Sequence, residues 1–312
     1  MSPLTTRIAG SVAALGEEKL IRLIRRWLGP ASPRAPFGIG DDCAVLPGQP
    51  GPQLITVDPV IHGRHFDDHV PPRAVGAKLL KRNLSDLAAM GGRPTAAVLA
   101  LTLDARTSVR WLEQFYRGLA ACARAFEVPV VGGDIAQADG VVAASLTLLG
   151  AAAGTRVVTR TGARRGDAIF VTGVLGGSLA SGHHHRFMPR LREGAWLAGR
   201  PEVRAMMDVS DGLAKDLHAL TPRASVVSLD AAAVPCRRGA DLAAALGDGE
   251  DYELVFVVGA GTNEHDFTRA WRRAFPRTRL SRIGCFCAPG ARSAGAVDLS
   301  RHRGYEHLRA RR

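Results

Sequence analysis

Gly38-Ile39-Gly40-Asp41-Asp42-Cys43-Ala44-Val45-Leu46 sets two adjacent carboxylates in a glycine-flanked turn ahead of an apolar run. Neighbouring Asp side chains repel when both are ionised, so keeping the pair in a structured turn points to a cation or to a ligand that brings one. An ordinary solvated turn has the same composition. Echoes further along the chain decide between the two readings. Residues 54–57 read as a short buried strand that delivers Asp58 at its end, before a Pro59 that no central strand would accept. A helix expected over residues 73–90 carries Val75, Leu79, Leu80, Leu84 and Leu87 on an apolar face that Asn83, Ser85 and Asp86 interrupt. Polar groups on a buried face need partners, so Asp86 either caps a neighbouring element or faces a charged ligand. Strand 128–131 runs into Gly132-Gly133-Asp134. Asp208-Val209-Ser210-Asp211-Gly212-Leu213 places two carboxylates and a hydroxyl at a strand-to-helix junction, where Ser210 or Asp211 could also serve as an N-cap.

The chain has 312 residues and is 46% hydrophobic, enough for a sizeable core and for two domains, with a boundary expected in 150–154. The domains are then 1–150 and 151–312. Arg, Asp, Gly or Pro interrupts every apolar run before membrane-spanning length, so a cytoplasmic protein without a membrane partner is expected. The cysteines at 43, 122, 236, 285 and 287 are odd in number and scattered, which argues against a disulfide framework, and Cys285-x-Cys287 has no second pair to make a zinc site. The net charge is +12, carried almost wholly by arginine, since Lys19, Lys78, Lys81 and Lys215 are the only lysines. That balance favours anionic partners, and the planar guanidinium suits phosphate. Aromatics are only 5% and the arginines are dispersed, so a small phosphorylated ligand fits better than nucleic acid.

Amphipathic helices are read over residues 17–28 and 109–126. The Gly173 to Gly177 loop could approach a phosphate but matches no Walker pattern. His183-His184-His185 reads as a solvated loop, because three consecutive histidines cannot all face one ion in regular structure. Asp41-Asp42, Asp58, Asp86, Asp134, Asp208 and Asp211 stand at turns, strand ends or helix interruptions, with Asp41, Asp134 and Asp211 directly beside glycine. Hard oxygen donors from several elements suit magnesium, which takes a few carboxylates together with phosphates and water. No Ser-His-Asp arrangement and no H-E-x-x-H motif is legible.

The Gly38 to Ala44 turn, Asn83-Leu84-Ser85-Asp86-Leu87-Ala88-Ala89-Met90-Gly91, Gly132-Gly133-Asp134, Thr159-Arg160-Thr161-Gly162, the Asp208 to Leu213 motif and Gly249-Glu250-Asp251-Tyr252-Glu253-Leu254 together resemble the thiamine-monophosphate kinase family, in order and approximate spacing along nearly the whole chain. The resemblance implies a mixed α/β (α+β) two-domain fold of the aminoimidazole ribonucleotide synthetase type, with an N-terminal α/β domain that dimerises and a C-terminal α+β domain. It implies ATP-dependent phosphorylation of thiamine monophosphate to thiamine diphosphate, several magnesium ions and a homodimer. Carried over residue by residue, Asp42, Thr56, Asp58, Asp86, Asp134, Asp208 and Asp211 hold magnesium; Gly133, Asp134, Arg160, Ser210 and Tyr116 contact ATP; His65, Glu250 and Tyr305 meet thiamine monophosphate. The chain departs from the family pattern at Val57, Ile135 and Asp248, and its Gly173 to Asp208 segment is shorter. The alternatives are a paralogous ATP-using enzyme with another small acceptor and a non-catalytic nucleotide-binding protein. The acceptor is itself a phosphate with a second pKa of about 6, already nucleophilic at neutral pH, so no residue is needed as a strong general base. Of the opening pair, the motif match makes Asp42 the direct metal ligand and leaves Asp41 to shape the turn. Asp42→Asn is expected to cost far more activity than Asp41→Asn; equal losses in steady-state kinetics would undo that division.

Overall fold

A computed structural model describes residues 1–35, 37–40, 43–48, 51–293 and 296–306; Asp41 and Asp42 lie outside the described residues. The chain forms two compact units, one of Met1–Leu87 with Arg93–Ala152, the other of Ala88–Gly92 with the chain from Ala153 onward.

The first unit contains helix α1 (Glu17–Leu28), strand β1 (Gln53–Ile61), most of helix α2 (Pro72–Ala89), strand β2 (Gly92–Leu103), helix α3 (Val109–Ala125) and strands β3 (Val130–Gln137) and β4 (Val142–Ala152). Its sheet runs β1-β4-β2-β3, with β1 antiparallel to β4 and β2 parallel to β3. α1 and α3 follow the expected apolar spacing, and Ser108 caps α3 by accepting from Trp111 N at 3.4 Å. β1 is longer than expected and passes straight through Asp58 and Pro59. It lies at the sheet edge, where a proline without an N–H disrupts no second ladder. β3 likewise runs through Gly132-Gly133-Asp134 instead of ending there. A run of rings fills the core, Phe66 on Trp111 at 5.7 Å, Trp111 on Phe115 at 5.6 Å and Phe115 against Tyr116 at 5.5 Å.

The second unit carries β5 (Ala168–Thr172), α4 (His183–Arg186), α5 (Leu191–Ala198), β6 (Val203–Asp208), α6 (Leu213–Leu220), β7 (Val226–Leu229), α7 (Leu242–Gly247), β8 (Leu254–Val258), α8 (Glu264–Ala274) and β9 (Leu280–Cys287). Its sheet runs β6-β8-β5-β9-β7 and the pairings of β5, β6, β7, β8 and β9 are antiparallel. β5 and β8 are buried throughout because both faces are covered. Ile169 and Val171 pack with Leu213, Leu217 and Leu246, while Ala168 and Phe170 pack with Leu197, Phe267 and Trp271. This is the mixed α/β (α+β) architecture expected from the motifs.

α2 and α3 approach backbone to backbone through two glycines. A Cβ on Gly76 would stand 2.0 Å from Phe115 O, and one on Gly118 would stand 2.0 Å from Arg73 O. Neither contact can relax without moving a helix. Gly118→Ala should therefore destabilise the protein by about 2 kcal/mol in urea denaturation; an unchanged midpoint would contradict this packing.

Candidate active site

The strand period of two puts Thr56 and Asp58 on one face of β1, and the helix period puts Arg82 and Asp86 four residues apart on one face of α2. The two faces meet. Thr56 Oγ1 donates to Asp86 Oδ2 at 2.5 Å, and Arg82 holds Asp58 Oδ1 at 3.1 Å while another of its nitrogens donates to Pro59 O. All four side chains are half-buried. Asp86 therefore accepts from a strand of its own unit, and Arg82 is a partner that the motifs did not point to.

Asp134 lies elsewhere on the sheet. β1 and β3 are separated by β4 and β2, so Asp58 and Asp134 stand roughly 14 Å apart by strand spacing and cannot share one ion within this sheet. Asp134 instead borders a cavity of about 480 Å³ lined by Glu17, Ile24, Gly40, Tyr116, Gly133 and Asp134. A Cβ on Gly133 would stand 2.2 Å from Leu99 O, so the position excludes any side chain and leaves bare backbone at the cavity wall. Burial pushes the Tyr116 phenol well above its ordinary pKa, so it stays neutral. His65 Nδ1 accepts from Ile61 N at 3.1 Å, and its carbonyl accepts from the fully buried Lys78 at 2.8 Å.

In the second unit, Asp208 is buried at the end of β6, and the chain after it pairs with the segment before β8: Glu250 N donates to Ser210 O at 2.8 Å and Val209 N to Glu253 O at 2.7 Å. Tyr305 N donates to Asp211 O at 2.8 Å. Lys215 reaches both the Asp211 carboxylate and Tyr305 O at 2.6 Å. Asp208, Ser210, Asp211, Glu250 and Tyr305 are thus gathered around one turn. Arg160 is exposed on the strip whose Thr159 O accepts from Met206 N at 3.0 Å.

Gly212, not Ser210 or Asp211, is the N-cap residue of α6, and the freed amides of Ser210 and Asp211 donate to Asp216 Oδ2 at 3.1 and 3.2 Å. The Gly173 to Gly177 loop does not hold its amides open for phosphate: Gly176 N donates to Asp251 and Gly177 N to Asp248. The three histidines form α4 instead of a solvated loop, with His184 only 7% exposed.

Thr56, Asp58, Asp86, Asp208 and Asp211 offer only hard oxygen donors. Magnesium is commonly held by one or two carboxylates plus phosphates and waters, so the donors of each unit, taken separately, fit it. Among the described residues no three His, Cys, Asp or Glu side chains are close enough to hold an ion without such further ligands.

Residues 40–154 match the AIR synthase related protein, N-terminal domain, family model, which places that stretch of the chain in that class. The chain is 37% identical over 246 residues to the thiamine-monophosphate kinase of Rhodopirellula baltica, covering 72% of this chain and 77% of that one. It superposes on the thiamine-monophosphate kinase of Stenotrophomonas maltophilia with a TM-score of 0.71 at 30% identity, over 86% and 92% of the two chains. Its match to AaThiL complexed with AMPPCP and TMP covers 97% and 99%, with a TM-score of 0.67 at 28% identity. The chain belongs to the thiamine-monophosphate kinase family, as its motifs indicated.

Burial, then the Asp211 charge, raises the Asp216 carboxyl to about 7. A carboxyl raised in the folded state binds its proton more tightly there, so its stabilising contribution is complete below the ordinary value of 3.8 and is lost as pH rises towards about 7. Urea denaturation in EDTA should show that decline between those values, and Asp216→Asn should flatten it; the same slope in both proteins would assign the decline to other groups.

Proposed function

We propose that this protein transfers the γ-phosphoryl group of ATP to thiamine monophosphate, giving thiamine diphosphate and ADP. The observation that carries the reading is the meeting of Thr56 and Asp58 with Arg82 and Asp86, which holds two carboxylates ready for a polyphosphate with its metal ions. Family membership and the likeness to a complex holding AMPPCP, an ATP analogue, support the nucleotide; TMP in that complex supports the acceptor.

The cavity bordered by Gly133, Asp134 and Tyr116 receives the nucleotide, its apolar wall of Ile21, Ile24 and Leu28 suiting a base and the bare backbone at Gly133 admitting phosphate. Arg160 and Ser210 complete the ATP contacts. Asp42, Thr56, Asp58, Asp86, Asp134, Asp208 and Asp211 are the metal ligands, distributed over more than one ion because the sheet separates Asp58 from Asp134. Magnesium, when bound, neutralises phosphate charge and so lowers the repulsion between two polyanions. His65, Glu250 and Tyr305 bind the acceptor, whose phosphate needs no base. His65 is held for this by the Ile61 amide at Nδ1, which leaves its Nε2 as the neutral ring's donor.

A homodimer in the cytoplasm completes the reading. β1 pairs only with β4 in its sheet, and Ile55 and Val57 on its outer face are 71% and 62% exposed, an apolar edge that a second copy would cover. No helix among the described residues is long and apolar enough to cross a membrane.

ADP release measured with ATP and magnesium should require thiamine monophosphate and should fail with thiamine, which lacks the accepting phosphate. Asp86→Asn should lower kcat about a hundredfold, as expected for a lost stabiliser of transition-state charge. ADP release indifferent to the acceptor would overturn the reading.

A further inference from the structure

The short segment before β8 is built against local preference. Glu250 and Tyr252 both adopt left-handed backbone, with φ of +55° and +52°, a conformation rarely held by residues of that bulk unless the surroundings enforce it. Asp251 between them does so. It is fully buried and accepts from Gly176 N at 3.0 and 2.9 Å, from Ser178 Oγ at 2.8 Å and from Arg237 at 3.3 Å. His183 Nε2 adds a bond to Asp251 O at 3.0 Å.

Around this anchor the Glu250 carboxylate is held at both oxygens. His184 Nδ1 stands 3.5 Å from Oε2, and the Tyr252 hydroxyl donates to Oε1 at 3.5 Å. Each of those two partners is held in turn. His185 Nδ1 lies 3.1 Å from His184 Nε2, so a His184 that donates through Nδ1 has its other nitrogen engaged. Phe187 stacks on Tyr252 with ring centroids 3.9 Å apart and planes 18° from parallel. The histidine run and Phe187 therefore serve Glu250, the residue assigned above to the acceptor. A carboxylate fixed before binding loses less rotamer freedom when a cationic ring arrives, so its grip on that ring is stronger than that of a mobile one.

We propose that His184 is a positioning residue for acceptor binding, fixing the Glu250 carboxylate that meets the cationic end of thiamine monophosphate, with Phe187 acting in the same sense through Tyr252. This rests on the kinase reading above. The 3.5 Å contact to Glu250 leaves from Nδ1, whose place the amide nitrogen of asparagine can take and alanine cannot fill.

The test is steady-state kinetics on the full chain carrying His184→Ala or His184→Asn, with both Michaelis constants measured. His184→Ala should raise KM for thiamine monophosphate about tenfold, the cost of ordering one rotamer-rich side chain on binding. KM for ATP and kcat should stay within about twofold, and His184→Asn should recover most of the loss. A merely packed histidine predicts otherwise: KM for thiamine monophosphate unchanged, or both KM values and kcat altered together with asparagine no better than alanine. Either result overturns the proposal while the unsubstituted protein still makes thiamine diphosphate. Absence of that product from the unsubstituted protein would overturn the kinase reading and this inference with it.

Discussion

Neighbouring carboxylates repel one another when ionised, and in this chain four buried or half-buried ones are each held by a donor the chain itself supplies. Asp58 has Arg82, Asp86 has Thr56, Asp211 has Lys215 and Asp251 has Arg237. These contacts are partly or fully buried, and removing one partner there leaves a charge or dipole without compensation. These donors offset part of the repulsion among the acidic groups, and the arginine excess acquires a structural purpose beside its affinity for anions.

The same constraint shapes the backbone nearby. Thr56 and Asp58 reach α2 because β1 is an edge strand that continues through Pro59, which also leaves Ile55 and Val57 facing outward. Asp251 commits the Gly176 amide and fixes the turn in which Glu250 and Tyr252 carry left-handed backbone. Asp216 gathers the amides of Ser210 and Asp211. Charge compensation and chain geometry are one problem, solved around Asp58 and Asp86 in the first unit and around Asp216 and Asp251 in the second.

Much of this was legible from local pattern. The apolar spacing over residues 17–28 and 109–126 gives α1 and α3 nearly to the residue, because helix periodicity is a local property. Strand ends were less so: β1 and β3 run past Pro59 and through Gly132-Gly133-Asp134 because tolerance of proline or glycine depends on whether the strand is an edge, which is a non-local fact. The motif glycines and aspartates announced the family and its carboxylates. Their partners were not announced, since Arg82, Lys215 and Arg237 look like any other arginine or lysine in a chain of +12 charge. His184 was misread for the same reason: three histidines in a row resemble a solvated loop until α4 places one of them against Glu250.

The account rests on direct transfer of a phosphoryl group between two phosphates without a general base. Phosphorus NMR of the protein with ATP, magnesium and thiamine monophosphate follows that transfer at its atoms. The account predicts that the signal of the thiamine monophosphate phosphorus is replaced by the coupled pair of thiamine diphosphate, in step with conversion of ATP to ADP. ADP accumulating with inorganic phosphate while the thiamine monophosphate signal persists would contradict it.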